Sequence, residues 1–142
     1  MKRKETFYIK PQQQQRPRFV SRGKFTRAYD PKPTADFKTE LTGMALQSND
    51  DTGYQPLDGQ LKVTLDIYIA PMKSWTKKKT EQALSNELRP TSHSLGDIDN
   101  HVKSIFDSFN KVLWTDDDAI VEMHVAQWFS NEPRIEIEIE QI

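Results

Sequence analysis

From Leu61 to Ile69 apolar and polar residues alternate without a break, Leu61, Val63, Leu65, Ile67 and Ile69 against Lys62, Thr64, Asp66 and Tyr68. Successive side chains of a strand point to opposite faces, so this run predicts a strand with one buried side. It commits the chain to a sheet covered on one face. A second period follows: Ile98, Val102, Ile105, Phe106, Phe109 and Val112 recur at helical spacing and predict a helix that can supply the cover. Two more strands close the chain, Ile120 to Trp128 and Arg134 to Glu140, with Ile135, Ile137 and Ile139 alternating with charged residues. Asn131-Glu132-Pro133 between them reads as a turn, so the pair is expected to form an antiparallel hairpin.

Upstream signals are shorter. Thr6 to Ile9 is a strand candidate, Gln12 to Gln15 a polar loop that buries little, and Arg16 to Tyr29 a hairpin turning at Gly23. Pro33 suits the first turn of a helix carried by Phe37, Leu41, Met44 and Ala45 to about Gln47, with a loop from Asn49 to Pro56. Ser74 or Thr76 can cap a short helix ending near Leu84. The fold class expected is α/β (α+β), one domain spanning 1–142, with a mixed sheet including the C-terminal hairpin and two to three packed helices.

Composition narrows the chemistry. The 142 residues include no cysteine and three scattered histidines, which disfavours thiolate or histidine metal sites and leaves oxygen ligands for any cation. No run approaches a membrane span and no apolar signal core follows Met1-Lys2-Arg3-Lys4, so a cytoplasmic protein is expected. Charge is divided along the chain. Residues 1–32 hold ten Lys or Arg against Glu5 and Asp30, net +8, whereas residues 104–142 hold Lys111 and Arg134 against nine acids, net −7. A basic half suits a phosphate backbone and an acidic half a metal. The plainer account is a basic disordered arm beside solvated acidic strand faces.

Two acidic clusters flank the predicted helix: Asp97-Ile98-Asp99 before it, with Lys103 four residues after Asp99, and Asp116-Asp117-Asp118 after it. Carboxylates gathered at two places could close a site for Mg²⁺, a hard cation that keeps waters and takes phosphate oxygens. Two helical steps rotate about 200°, so Asp97 can join Asp99 only from the loop or the N-cap. Capping by itself accounts for Asp97, and an acidic turn open to water accounts for the triplet. In the basic segment, Arg16, Arg18, Arg22, Lys24 and Arg27 interleave with Phe19, Phe25 and Tyr29, a plausible DNA-facing hairpin. Phe19 and Phe25 themselves are expected in the core. Lys77, Lys78 and Lys79 open a helix against its dipole, which fits phosphate contact as well as a solvated face.

The pattern Asp97-x-Asp99-Asn100-x-x-Lys103, then Trp114-x-Asp116-Asp117-Asp118-Ala119-x-Val121, then Asn131-Glu132-Pro133-Arg134-Ile135-Glu136-Ile137, resembles the RusA family of Holliday junction resolvases. Arg16-Pro17-Arg18-Phe19, Tyr29-Asp30-Pro31-Lys32 and Lys73-Ser74-Trp75-x-Lys77-Lys78-Lys79 extend the likeness, particularly to members encoded by phages and prophages. Gly96 stands where a proline often precedes the first aspartate, and Ile120 where a glutamine is common. The resemblance implies a homodimeric endonuclease, dependent on Mg²⁺ or Mn²⁺ and on no small-molecule cofactor, that cuts four-way DNA junctions by paired nicks. Carried over by position, the catalytic aspartates fall on Asp97, Asp99 and Asp118, the catalytic lysine on Lys103, and Asp117 or Asp118 makes the second-cluster metal contact. A nuclease for flaps or forks, and a non-catalytic binder of branched DNA, are the competing readings.

Overall fold

A computed structural model describes all residues, 1–142. In it β1 (Lys2–Phe7), β4 (Leu61–Ile69), β5 (Ile120–Phe129) and β6 (Arg134–Gln141) form one sheet in the order β1-β6-β4-β5. The hairpin β2 (Arg18–Arg22) and β3 (Phe25–Tyr29) is a separate two-stranded sheet. Helices α1 (Lys32–Thr52) and α3 (Ile98–Phe109) pack against one another over the large sheet, and α2 (Lys77–Leu84) sits beside β5. Leu61, Val63, Leu65 and Ile67 of β4 are fully buried and meet Phe37, Leu41, Ile105 and Phe109 from the helices in one apolar core. The fold is α+β with a mixed sheet, since β4 runs parallel to β5 and antiparallel to β6.

The C-terminal strands are not a hairpin. They run in opposite directions and are joined by the short turn at Ser130–Pro133, but β4 lies between them. The turn crosses the end of β4, where the Ser130 amide donates to the Ile69 carbonyl at 3.0 Å. Matching of apolar ladders explains the insertion: Val63, Leu65 and Ile67 face Ile139, Ile137 and Ile135 in register, all buried. Val121 and Met123 of β5 are exposed and offer β6 no such partner.

Two other departures have local causes. α1 continues past Gln47 to Thr52, because Gln47 and Asp51 bond at 2.9 Å one turn apart and Asn49 Nδ2 donates to the Val112 carbonyl. β1 begins at Lys2 rather than Thr6, so the basic N-terminus is a strand and not a disordered arm. Its Lys2 and Lys4 lie opposite Glu140 and Glu138 of β6, and Lys2 pairs with Glu138 at 2.9 Å. Arg3 points into the protein, bonded to Glu5 and Ser48. Part of the positive charge counted over residues 1–32 is therefore spent on the sheet's own acids.

Candidate active site and nucleic-acid interface

Asp97 is the N-cap residue of α3, in extended backbone (φ −78°, ψ 145°), and its carboxylate makes no capping bond. Being outside the helix frees it from the 200° separation that would otherwise set it opposite Asp99. Its near partner is His93 Nδ1 at 3.3 Å. Asp99 lies in the first turn and Lys103 one turn further on, where i and i+4 side chains are neighbours. Asp97 and Lys103 share one polar cleft with Arg16, Asn100 and Gln13.

The glutamine tract builds one wall of that cleft. It is irregular, as its composition predicts, yet it is half-buried and pinned along α3. The Gln14 amide donates to the Asn100 carbonyl at 2.9 Å, Ser104 Oγ donates to the Gln12 carbonyl, and Gln13 Oε1 accepts from the Asp97 amide at 3.4 Å. Thr34 of α1 holds the far end by donating to Gln15 Oε1 at 2.9 Å. This strap carries the chain directly into Arg16 and the hairpin. A neighbouring cleft that shares Gln13 is flanked by Lys10 and Lys73.

Beneath Asp97 the loop is fixed by His101. Its ring is buried and its Nδ1 bonds Gln127 Oε1 of β5 at 2.6 Å, which has the ring nitrogen donating to the amide oxygen. Burial, only partly opposed by Gln127 and Asp97, lowers the His101 pKa and keeps the ring neutral. Gln127 is held in turn, since Arg89 Nε donates to its carbonyl at 2.6 Å while the guanidinium stacks 3.5 Å from the Trp128 ring. Gly96 adopts φ +103°, and a Cβ there would overlap the His101 imidazole. Glycine at this position is thus the condition for bringing Asp97 over the buried histidine.

The second acidic cluster is organised differently. Asp116 caps the short 3-10 turn Asp117–Ala119, accepting from the Asp118 amide and from Lys111 Nζ, both at 3.3 Å, and these bonds lower its pKa. Asp117 accepts from Trp114 Nε1 at 2.6 Å, and burial pushes its carboxyl above the usual range despite that bond. The Asp118 carboxylate takes part in none of these contacts and is exposed before β5.

The two clusters do not meet within one chain. α3 runs antiparallel to β5, with His101 near its start touching Gln127 near the strand's end. Asp107, near its finish, instead acts on the charge of Asp117. The twelve-residue helix between them is about 18 Å long. No three His, Asp or Glu side chains are grouped to hold a metal ion. The all-oxygen donors suit a hard divalent cation, but one chain does not gather them, which corrects the expectation that the helix would close both clusters on one site.

The basic residues fall in two places. Lys77, Lys78 and Lys79 are exposed at the start of α2, where Thr76 caps by accepting from the Lys79 amide. Lys79 Nζ lies 4.3 Å from the Trp75 ring, which packs edge-on against Phe129. Arg18, Arg22, Lys24 and Arg27 lie on the hairpin, every residue of whose strands is exposed. Phe19 and Phe25 are 69% and 80% exposed, so the expectation that they are core residues fails. The hairpin has no second layer to bury them. The residues that sequence reading missed, Gln13, His101, Gln127 and Arg89, act through backbone atoms or through each other and carry no periodic signal.

Comparison with known proteins gives two findings. The family model described as Endodeoxyribonuclease RusA matches residues 9–140. A Bacillus subtilis (strain 168) protein, named as Uncharacterized protein YqaN, is 33% identical over 141 residues, spanning 98% of this chain and 96% of its own length.

Proposed function

We propose that this chain, which belongs to the RusA endodeoxyribonuclease family, resolves four-way DNA junctions by paired nicks as a Mg²⁺- or Mn²⁺-dependent homodimer. The observation that carries the reading is the cleft at the start of α3. There the Asp97 carboxylate, which makes no capping bond, stands beside Lys103 and Arg16 on a frame fixed by His101 and Gln127, and Asp99 follows in the first turn of α3. A phosphate entering it meets Arg16 and Lys103 beside the Asp97 carboxylate, while Asp99 is exposed in the first turn of α3. Lys103 supplies positive charge where charge grows on the attacked phosphate. A divalent cation held by the aspartates would add Lewis acidity and a more acidic water.

The separation of the acids makes the dimer part of the proposal. A junction presents two strands related by approximate two-fold symmetry, and a two-fold pair of chains presents the same patch twice. In such a pair the Asp97–Asp99 end of one copy and the Asp117–Asp118 end of the other complete each site. Neither copy then holds a cation alone, which suits the scattered donors of the single chain. Arg16, Arg18, Arg22, Lys24, Arg27 and Lys77 to Lys79 line the path of the arms, and binding through them weakens with salt. The proposed setting is the bacterial cytoplasm, on phage or prophage DNA. No helix is long and apolar enough to cross a membrane.

The test is nicking of a labelled four-way junction beside a linear duplex of matching sequence, in Mg²⁺ or EDTA, for wild type and Asp99→Asn. Symmetric, metal-dependent cuts on the junction alone, lost in the variant while binding remains, support the proposal. Equal cutting of flaps and forks moves the substrate to branched DNA in general. Binding without cutting in either metal removes the catalytic assignment.

A further inference from the structure

The β2–β3 hairpin stands apart from the core in its own sheet, yet its placement is not loose. Asp30, directly after β3, accepts from Gln14 Nε2 at 2.9 Å and from Lys38 Nζ at 3.0 Å, and Lys38 also holds Asp107 of α3. Pro17, directly before β2, belongs to the Asp97 cleft. Both roots of the hairpin are thus tied to the frame of the site, while all ten strand residues are exposed. The connection is a two-residue turn, Gly23-Lys24, with positive φ at Gly23 as a type II′ turn requires.

The pairing register sorts its side chains. Arg18 faces Tyr29, Val20 faces Arg27 and Arg22 faces Phe25, and all six project to the same side. Each cross-strand pair on that side joins one guanidinium to one apolar or aromatic group, and the guanidiniums alternate in a checkerboard. Five of the six line one continuous depression. Residues 16–29 contain no acid, and the molecule's ion pairs all lie elsewhere. Phe25 beside the turn is 80% exposed and Tyr29 at the base 44%.

A face made for duplex backbone alone needs cations and hydroxyls, and gains nothing from a large aromatic ring in water. A face made for protein docking would bury its rings among fewer unpaired cations. Cations spaced to follow phosphates, with aromatic rings between them, are the chemistry of a surface for unpaired nucleotides, whose bases stack on rings while their phosphates meet arginines. Intact duplex arms offer no such bases, but the opened centre of a branch does.

We infer that the Arg18–Tyr29 side of the hairpin holds unpaired nucleotides at the branch point of the DNA, with a base stacked on Phe25 and its flanking phosphates on Arg22 and Arg27. The inference rests on the branched-DNA reading for the source of those nucleotides, though not for their chemistry. Phe25 acts as a selectivity residue: it distinguishes an opened branch from a closed duplex, while the arginines bind both.

Fluorescence of 2-aminopurine tests it, placed at the centre of a synthetic four-way junction, in a single-stranded oligonucleotide, and in a closed linear duplex. Titrations use the full chain without divalent metal, comparing wild type, Phe25→Ala, Phe25→Trp and Arg22→Ala. Wild type should alter the signal of the junction centre and the single strand. Phe25→Ala should lose that change and bind both about tenfold more weakly, with duplex affinity unchanged. Phe25→Trp should restore it, and Arg22→Ala should weaken all three complexes. If Phe25→Ala matches wild type on both junction and single strand, the inference is overturned whether or not the protein cuts junctions. If the Phe25 effect holds on the single strand while wild type fails to cut any branched DNA, the nucleotide surface stands and the resolvase reading falls. A change in the sedimentation of DNA-free protein on Phe25→Ala would show a contact between copies and likewise overturn the inference.

Discussion

The two ends of α3 carry the same residue type and treat it in opposite ways. At the start, Asp97 makes no capping bond to α3 and shares its cleft with Arg16, just past the glutamine strap, and with Lys103. Past the finish, Asp116 is spent on a cap and a lysine, and Asp117 is tied to the Trp114 indole and partly buried. The cations around the first carboxylate are placed to receive a phosphate, whereas a partly buried carboxylate with a raised pKa carries an electrostatic cost until a positive charge arrives. The contrast teaches that the first cluster is prepared within one chain and the second awaits something brought to it.

The largest effects expected are at the acids themselves. Asp97→Asn and Asp118→Asn should each reduce junction cutting at least about 10²-fold with binding retained, although the residues lie a helix length apart. Gel-based nicking assays check this, and a fully active Asp118→Asn would detach the second cluster from the site. Next comes the frame of the first cluster. Gly96→Ala forces a Cβ into the His101 ring at positive φ and should destabilise the fold by about 2–4 kcal/mol, read from urea unfolding. A near-neutral result would mean that His101 does not hold the Asp97 loop.

A smaller effect is set by pH. Burial lowers the His101 pKa from 6.5, so below about pH 6.5 the unfolded chain binds a proton that the folded one refuses. Stability should fall with pH through that window by at most about 1.4 kcal/mol per unit, and His101→Gln should lose this component of the slope. The smallest change is expected at the other end. Asp117 has a raised pKa, so where the group is ionised the folded chain is destabilised relative to the unfolded one. Asp117→Asn keeps an acceptor for Trp114 without the charge, and its melting temperature at pH 7 should be no lower than wild type, the difference shrinking as pH falls. A clear drop in melting temperature would make Asp117 structural rather than reserved for a cation.

Much of this arrangement is legible before any coordinates. Periods of two and 3.6 fix β4, β6 and α3, because burial on one face is what those patterns encode. The rotation per residue alone requires Asp97 to stand outside the helix if it is to serve with Asp99. What the pattern does not encode is which apolar ladder an isoleucine strand will choose, so β6 pairs with β4 and not with β5. Nor does it encode how α3 is directed against β5, and that direction alone decides whether two acidic clusters meet. The glutamine strap is illegible for another reason: its partners are backbone carbonyls and amides far along the chain. Phe25 misleads because an aromatic residue in an alternating strand has the same signature whether it faces a core or a ligand.

The most direct test of the account is subunit mixing. Asp99→Asn and Asp118→Asn, each inactive alone, are co-expressed with distinct tags, and the mixed dimers are isolated and given a labelled four-way junction in Mg²⁺. If each site takes Asp97 and Asp99 from one copy and Asp118 from the other, the mixed dimer contains one wholly native site. It should then nick one strand of the junction without the paired second cut. Mixed dimers as inactive as their parents would place all the acids of a site on one chain and contradict the account.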